Sequence, residues 1–486
     1  MKKLQFTRRQ REGGYFAAYI AVFLTVLVLL NVIVNALATR YEWYFYTGER
    51  YEHTAGDAAE ALFGEVEEPV TILFCDEEEN LLSDKISALA YNTALQLAEK
   101  LDFLRVETVN IYLHPSKVKP YRETTDGDGN KQTLPITTDS IIFKSAKGHS
   151  VEALSTFFVL NEQQIITSYI GEERMLASIG RVLRQERVKA AYTATHGENF
   201  ADLPAFYTLL HGAGYDLTTV DLNEDIPADI SLIVIANPLY DFNRAAAGSG
   251  AVSELDRLEA FVKRGGCLFV SLDPYGKGDL TRLRAFLAEC GLSATDEIIK
   301  DRENSITSDE FTLITEFADN AAAASIRNRV GTVQSGSPIT RESSRIRLSP
   351  AEGYTAEAIL TSSSSARLYR GGETVDTEGS YPVLARSRYT VGEGGGSVIL
   401  SSGAYFTAND VLNSTTYLNR AVLFSLLDEA GAPHAPLGVT ALAMSSSLLE
   451  GLTMQTARLY TALLVVLLPL LVGAVGIVVL ARRKFR

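Results

Sequence analysis

The 486-residue chain holds few of the residues that staple small folds or bind metals. Its three cysteines, Cys75, Cys267 and Cys290, show neither a C-x-x-C nor a zinc-type spacing, which excludes a disulfide framework and a cysteine metal site. No phosphate-binding loop of the G-x-x-x-x-G-K-[ST] form occurs, no G-x-S-x-G elbow and no H-E-x-x-H pair. A basic stripe is also missing from the middle of the chain. Residues 1–14 carry +4 and residues 481–486 carry +4, so the formal charge of −14 leaves −22 for residues 15–480. That acidic middle argues against nucleic acid as a partner.

What is present is a chain with 46% hydrophobic and 21% charged residues, neither disordered nor a pure membrane bundle, and long enough for two to four domains. Two stretches lack charge altogether, Tyr15 to Ala38 and Tyr460 to Leu480. As helices they would reach about 36 and 32 Å, enough for a hydrocarbon core of about 30 Å. Lys2, Lys3, Arg8, Arg9 and Arg11 precede the first; Arg482, Arg483, Lys484 and Arg486 follow the second. Positive charge at both ends predicts a cell-membrane protein with two spans, both termini cytoplasmic and the bulk extracytoplasmic. Tyr41, Trp43, Tyr44, Phe45 and Tyr46 then read as an interfacial aromatic belt. Ala36-Leu37-Ala38 also has the form of a cleavage site, but the apolar run exceeds the length of about 7–15 residues usual in a secretory leader. A retained anchor is the reading adopted. Asn31 and Asn35 share one face of the first span, where they would either meet another helix or sit near the interface.

Between the spans, residues 41–185 read as a first extracytoplasmic α/β domain. Val70 to Phe74, Leu104 to Ile111 and Asp139 to Lys144 have strand character, and Ser83 to Leu101 has helical spacing. Gly171 to Arg184 reads as a helix handing over to a second domain, residues 186–430. There strands (189–195, 215–220, 231–236, 267–272) alternate with helices (203–212, 253–264, 281–290), which predicts a doubly wound parallel sheet. Residues 303–375 read as an elaboration of that sheet, Tyr381 to Tyr389 and Ser397 to Ser401 as further strands, and Tyr417 to Leu427 as a closing helix. Residues 431–458 read as a connector without a fold of its own.

Ligands of an open α/β sheet gather beyond the carboxyl ends of its strands. That edge is expected to collect His196, Gly197, Glu198, Asn237, Pro238, Asp241, Asp273, Pro274, Tyr275, Ser402 and Gly403. Of these, His196, Gly197, Glu198, Asn237, Asp241, Asp273 and Tyr275 form the candidate ligand site. His196 with Glu198, and Asp273 as a third group, could bind a cation or polarise a ligand, or could bond only local backbone. Cys267 and Cys290 read as core residues, and His211 beside Gly212 as a helix C-terminal cap. No catalytic residue, metal or cofactor is expected.

The run Thr195-His196-Gly197-Glu198, then Gly214-Tyr215, Val220-Asp221-Leu222 and Ile226-Pro227-Ala228-Asp229, resembles the auxiliary component of gliding-motility-type ABC transport systems. Leu232 to Pro238, Leu255 to Gly266 and Leu268 to Pro274 continue the likeness, as do Gly171-Glu172-Glu173 upstream and Ser397 to Phe406 downstream. Arg244 to Gly250 is an insertion against that pattern. The resemblance implies a membrane-anchored partner of an ABC permease and a cytoplasmic ATPase. It also implies a sheet domain similar to class I glutamine amidotransferases without their catalytic Cys and His. The missing ATP-binding loop agrees, since energy would have to come from another subunit. Two rivals stay open: an extracytoplasmic hydrolase or amidase using His196, Glu198 and Asp273, and an envelope scaffold without a ligand.

Overall fold

The computed structural model describes residues 55–444, apart from 126–130, 161–163, 185–187, 246–251, 277, 307–308, 332–335, 377, 393–394, 434–435, 438 and 440. Both expected spans, the basic ends and the aromatic belt lie outside the described residues. Among the described residues, no helix is long and apolar enough to cross a membrane.

The first lobe begins with α1 (Ala55–Phe63) and β1 (Val70–Phe74). Helix α2 (Lys85–Lys100) starts where the Asp84 carboxylate accepts the Ile86 and Ser87 amides, each at 3.0 Å. Those amides hold the Asp84 carboxyl below its usual range, with the Ser87 bond the larger cause. Strands β2 (Leu104–Thr108), β3 (Ser140–Lys144) and β4 (His149–Ala153) complete a sheet of order β2-β1-β3-β4. Only β1 and β2 run parallel, joined by α2. Helix α3 (Gly171–Leu183) lays Met175, Leu176, Ile179 and Val182 on this core, against Ile72, Phe74 and Phe143.

The second lobe is built on β5 (Lys189–Tyr192), α4 (Pro204–Gly212), β6 (Asp216–Thr219) and β7 (Ile230–Ala236). It continues through α5 (Glu254–Lys263), β8 (Cys267–Ser271), α6 (Thr281–Glu289) and β9 (Leu292–Lys300). Then follow α7 (Ala321–Gly331), β10 (Ser344–Leu348), β11 (Tyr354–Thr361), β12 (Arg367–Arg370) and β13 (Glu373–Asp376). Strands β14 (Pro382–Tyr389) and β15 (Ser397–Ser401) and helix α8 (Asn419–Glu429) close it.

The central sheet has the order β6-β5-β7-β8-β15-β14-β11, with Glu316–Phe317 at the far edge. Alternation along β7 explains its central place. Leu232, Val234 and Ala236 enter one core with α4, α7 and α8, while Ile233 and Ile235 enter the other with α5 and α6. Burying each such aliphatic side chain contributes about 1.5–3 kcal/mol. Helix α5 is bounded by a capping box, Ser253 with Asp256, and by Gly265 at φ +104°.

Three expectations need correction. The sheet is parallel only from β6 to β15; β14, β11 and Glu316–Phe317 each run antiparallel to the strand before them in the sheet order, since β15 starts at Ser397 so soon after β14 ends at Tyr389 that no helical crossover fits between them. Within residues 303–375 only part elaborates that sheet, since β10, β12 and β13 pair with β9 in a separate antiparallel sheet of order β10-β9-β12-β13. The connector is also not wholly without structure. Leu442–Ala443 pairs antiparallel with Ile166–Tyr169, and Val439 and Leu442 pack on the first-lobe core.

The lobes meet at α3 through buried charge. Glu173 grips Arg420 of α8, and Arg181 reaches Glu152 at 3.1 Å and Asp216 at 3.7 Å. His211 does not act as a cap through its ring. Arg174 Nη1 lies 2.8 Å from its Nδ1 and Arg181 Nη2 lies 2.5 Å from its Nε2. Burial and the two guanidinium charges hold His211 well below its usual range, so it is neutral in the folded chain. Nearby Glu172 is pushed up to about 7, chiefly by burial.

The signs are opposite. The unfolded chain protonates His211 below about pH 6.5, where the folded chain does not, so stability falls with acid. Glu172 contributes stability below its unfolded value and loses it as pH rises through about 7. Glu172→Gln is therefore expected to raise stability at about pH 8 by on the order of 3 kcal/mol, and little at about pH 4. Thermal melts across this range check it; a gain independent of pH contradicts it.

Candidate functional site

At the carboxyl end of β5 the chain turns through Gly197, whose φ is +83°. A Cβ there would stand 2.9 Å from the Leu239 Cβ, so the position suits glycine twice over. Glu198 closes the turn from inside, accepting the Thr193 hydroxyl at 2.6 Å and the His196 amide at 2.8 Å. The His196 carbonyl in turn accepts the amides of Leu239 and Tyr240, tying the ends of β5 and β7.

The His196 ring is buried and stacked on Phe242, centroids 3.7 Å apart at 13°. Its Nε2 lies 3.2 Å from Glu254 Oε2, which also accepts the Asn243 amide at 2.7 Å. Its Nδ1 lies 3.2 Å from the exposed Thr195 hydroxyl and 3.8 Å from Glu198 Oε1. This arrangement accounts for every ring nitrogen and for both oxygens of Glu198. It also lines up a hydroxyl, an imidazole and a carboxylate: Thr195, His196 and Glu254.

The other expected residues serve separate local purposes. Asn237, at φ +52°, donates its amide to the Ser271 carbonyl and accepts the Ser271 hydroxyl, each at 2.9 Å, and Pro238 follows it. Asp241 accepts the amides of Arg282 and Leu283 at 2.9 and 3.0 Å, and so caps α6 from a distance. Asp273 accepts the Tyr275 amide at 2.9 Å across Pro274, in an exposed turn. Tyr275 is 54% exposed, and burial of the remainder with Glu342 nearby raises its phenol above the ordinary value. Ser402 is buried with its hydroxyl on the carbonyls of Ser344 and Val383, and Gly403 leaves room for Ser343 and Thr340.

Among the described residues, Asp273 makes no hydrogen bond or ion pair with His196 or Glu198, and no group of three His, Cys, Asp or Glu could hold a metal. The expected trio is thus not assembled; Glu254, missed in the sequence, stands where a third acid was sought. It lies in the first turn of α5, where an acidic residue carries no local signal for an inward position. The Asn243 and His196 donors turn it inward instead. All three cysteines are buried, and burial pushes the Cys267 thiol up to about 11 and Cys290 to about 12. A cavity of about 560 Å³ lies apart, lined by Glu259, Lys263, Phe286, Cys290, Tyr354 and Tyr389, with none of the candidate residues.

The described residues therefore define a mixed α/β protein with several sheets and a saturated polar cluster at the carboxyl edge of the largest. Comparison with known protein families gives no match. Comparison with curated proteins gives none. Among solved structures the chain is similar to the N-terminal domain of mmIFT52, with 14% identity, TM-score 0.38, over 50% of this chain and 97% of that one. It is also similar to a cytoplasmic protein from Salmonella typhimurium, with 11% identity, TM-score 0.31, over 50% and 98%. A ThuA-like protein from Parabacteroides merdae matches with 11% identity, TM-score 0.31, over 53% and 97%.

Removing Glu254 leaves the Asn243 amide and the His196 ring without their partner in a buried place. Glu254→Ala is expected to cost about 3 kcal/mol, and Asp273→Ala less than about 0.5 kcal/mol. Chemical denaturation of the two variants measures this; equal costs contradict it.

Proposed function

We propose that this protein is a non-catalytic, membrane-anchored auxiliary subunit of an ABC transport system, with the folded body outside the cell membrane and a separate permease and ATPase as partners. One observation carries the reading. Ala58, Ala59 and Phe63 of α1 pack into the same first-lobe core that receives Val439 and Leu442 near the other end of the described chain. The first and last described segments thus pack on one lobe, which suits two anchors in one bilayer. The uncharged stretches 15–38 and 460–480 continue the chain on either side, each bounded by basic residues.

The gliding-motility-type likeness of the Thr195 to Glu198 and Leu268 to Pro274 blocks gives the subunit its class. The reading treats the second lobe as glutamine amidotransferase-like; the run of parallel strands β6 to β15 supports that. His196, Gly197, Glu198, Asn237, Asp241, Asp273 and Tyr275 then order the carboxyl edge, and exposed Leu239, Tyr240 and Tyr275 offer its contact surface toward an extracytoplasmic ligand or envelope partner. Nucleic acid is not a partner on this reading.

Mild-detergent purification of the tagged full chain is expected to recover a multi-span permease and an ABC ATPase in fixed ratio. Recovery of the chain alone contradicts the proposal.

A second reading, extracytoplasmic hydrolase, is favoured by the Thr195–His196–Glu254 line-up alone. It predicts ester or amide cleavage that Thr195→Val abolishes while partners still co-purify. The auxiliary-subunit reading predicts no such activity in either form.

A further inference from the structure

Glu297 of β9 is buried, its side chain only 6% exposed, yet three guanidinium groups converge on it. Arg347 Nη2 of β10 donates to Oε1 at 2.9 Å and to Oε2 at 3.2 Å. Arg370 Nη2 of β12 donates to Oε1 at 2.9 Å, and Arg345 Nη1 stands 3.6 Å from Oε2. The Thr295 hydroxyl adds a bond at 3.3 Å.

Strand pairing sets this geometry. Ile298 pairs with Tyr369, which brings Glu297 opposite Arg370. Arg345 and Arg347 lie two residues apart on β10 and so share a face, with Ile346 between them turned into the core. Arg345 is held further by the Tyr381 ring, 5.4 Å away.

One carboxylate neutralises one guanidinium. A second acid, Glu373, stands opposite Arg370 across β13 and forms no ion pair among the described residues. Even counting it, positive charge is in surplus on this face of a chain whose residues 15–480 sum to −22. Arg347 and Arg370 are each 53% exposed along the side chain, so the surplus faces outward. Their Nη2 atoms share one carboxylate oxygen, which keeps two like charges adjacent against their repulsion. A buried ion pair needs only one arginine. Arg347 and Arg370 use only Nη2 on Glu297, which leaves the other N–H groups of each planar fork for a tetrahedral oxyanion.

We propose that Arg345, Arg347 and Arg370 form a binding site for a phosphate-type oxyanion, with Glu297 as the buried carboxylate that orients the forks. The site lies on the small sheet β10-β9-β12-β13, away from the carboxyl edge of the central sheet, and does not depend on the subunit role proposed above.

The test uses the full chain in phosphatidylcholine nanodiscs, titrated with inorganic phosphate and, separately, with phosphatidylglycerol vesicles. At least one probe is expected to bind, more weakly as salt rises. Phosphate binding identifies a soluble ligand; vesicle binding alone identifies a lipid headgroup. R347Q/R370Q is expected to weaken binding about tenfold or more, and R302Q, a surface arginine elsewhere, to leave it unchanged. R347K/R370K keeps the charge opposite Glu297 and removes the forks, so it tests the site in a chain whose ion pairs persist; most of the affinity is expected to go. Failure of both probes to bind, or binding by both double variants at wild-type strength, overturns the proposal.

Discussion

The structure depends on helix α3 holding two sheet-based lobes together through buried charge. Its apolar face belongs to the first-lobe core. Its polar face carries Glu173, Arg174 and Arg181 to Arg420, His211, Glu152 and Asp216. Such pairs add little net stability, because desolvating each ion offsets most of the attraction. Their force lies in specificity: removing one partner leaves the other charged and buried, so only one docking of α3 on α4 and α8 satisfies them all. Gly212 fits the same constraint, since a Cβ there would stand 2.5 Å from Glu173 Oε1.

Most elements of the second lobe were legible because hydrophobic period and punctuation agree. Leu232 to Ala236 is continuously apolar and becomes the buried length of β7; Ser253 and Gly265 bound α5 as their chemistry dictates. Less legible was the region from Leu292 onward. Strand β9 reads LSATDEIIK, with its acids in the middle, and makes sense as a strand only once Arg345, Arg347 and Arg370 are opposite Glu297. Helix α7, rich in alanine, carries too faint an apolar stripe to be separated from a loop. The return of Leu442–Ala443 to the first lobe is set by a two-residue pairing, below what pattern reading resolves.

At the candidate site, types and neighbourhood were legible and roles were not. His196, Gly197 and Glu198 do form a turn unit at the carboxyl edge, because the glycine permits φ +83° and the two side chains fold back on it. Asp241 and Asp273 lie near strand ends as expected, yet one caps α6 and the other closes a turn. Which carboxylate faces an imidazole depends on donors contributed by distant residues, here Asn243 beside Glu254, and no local spacing encodes that.

The central proposal is a large folded body held outside a membrane by its two ends. The three native cysteines are buried, so they offer little background to a thiol reagent. Tyr112 is 81% exposed on the first lobe, and a Tyr112→Cys variant presents one reactive thiol there. A membrane-impermeant maleimide applied to intact cells is the most direct measurement. The account predicts labelling as complete as in lysed cells; labelling only after lysis would contradict it.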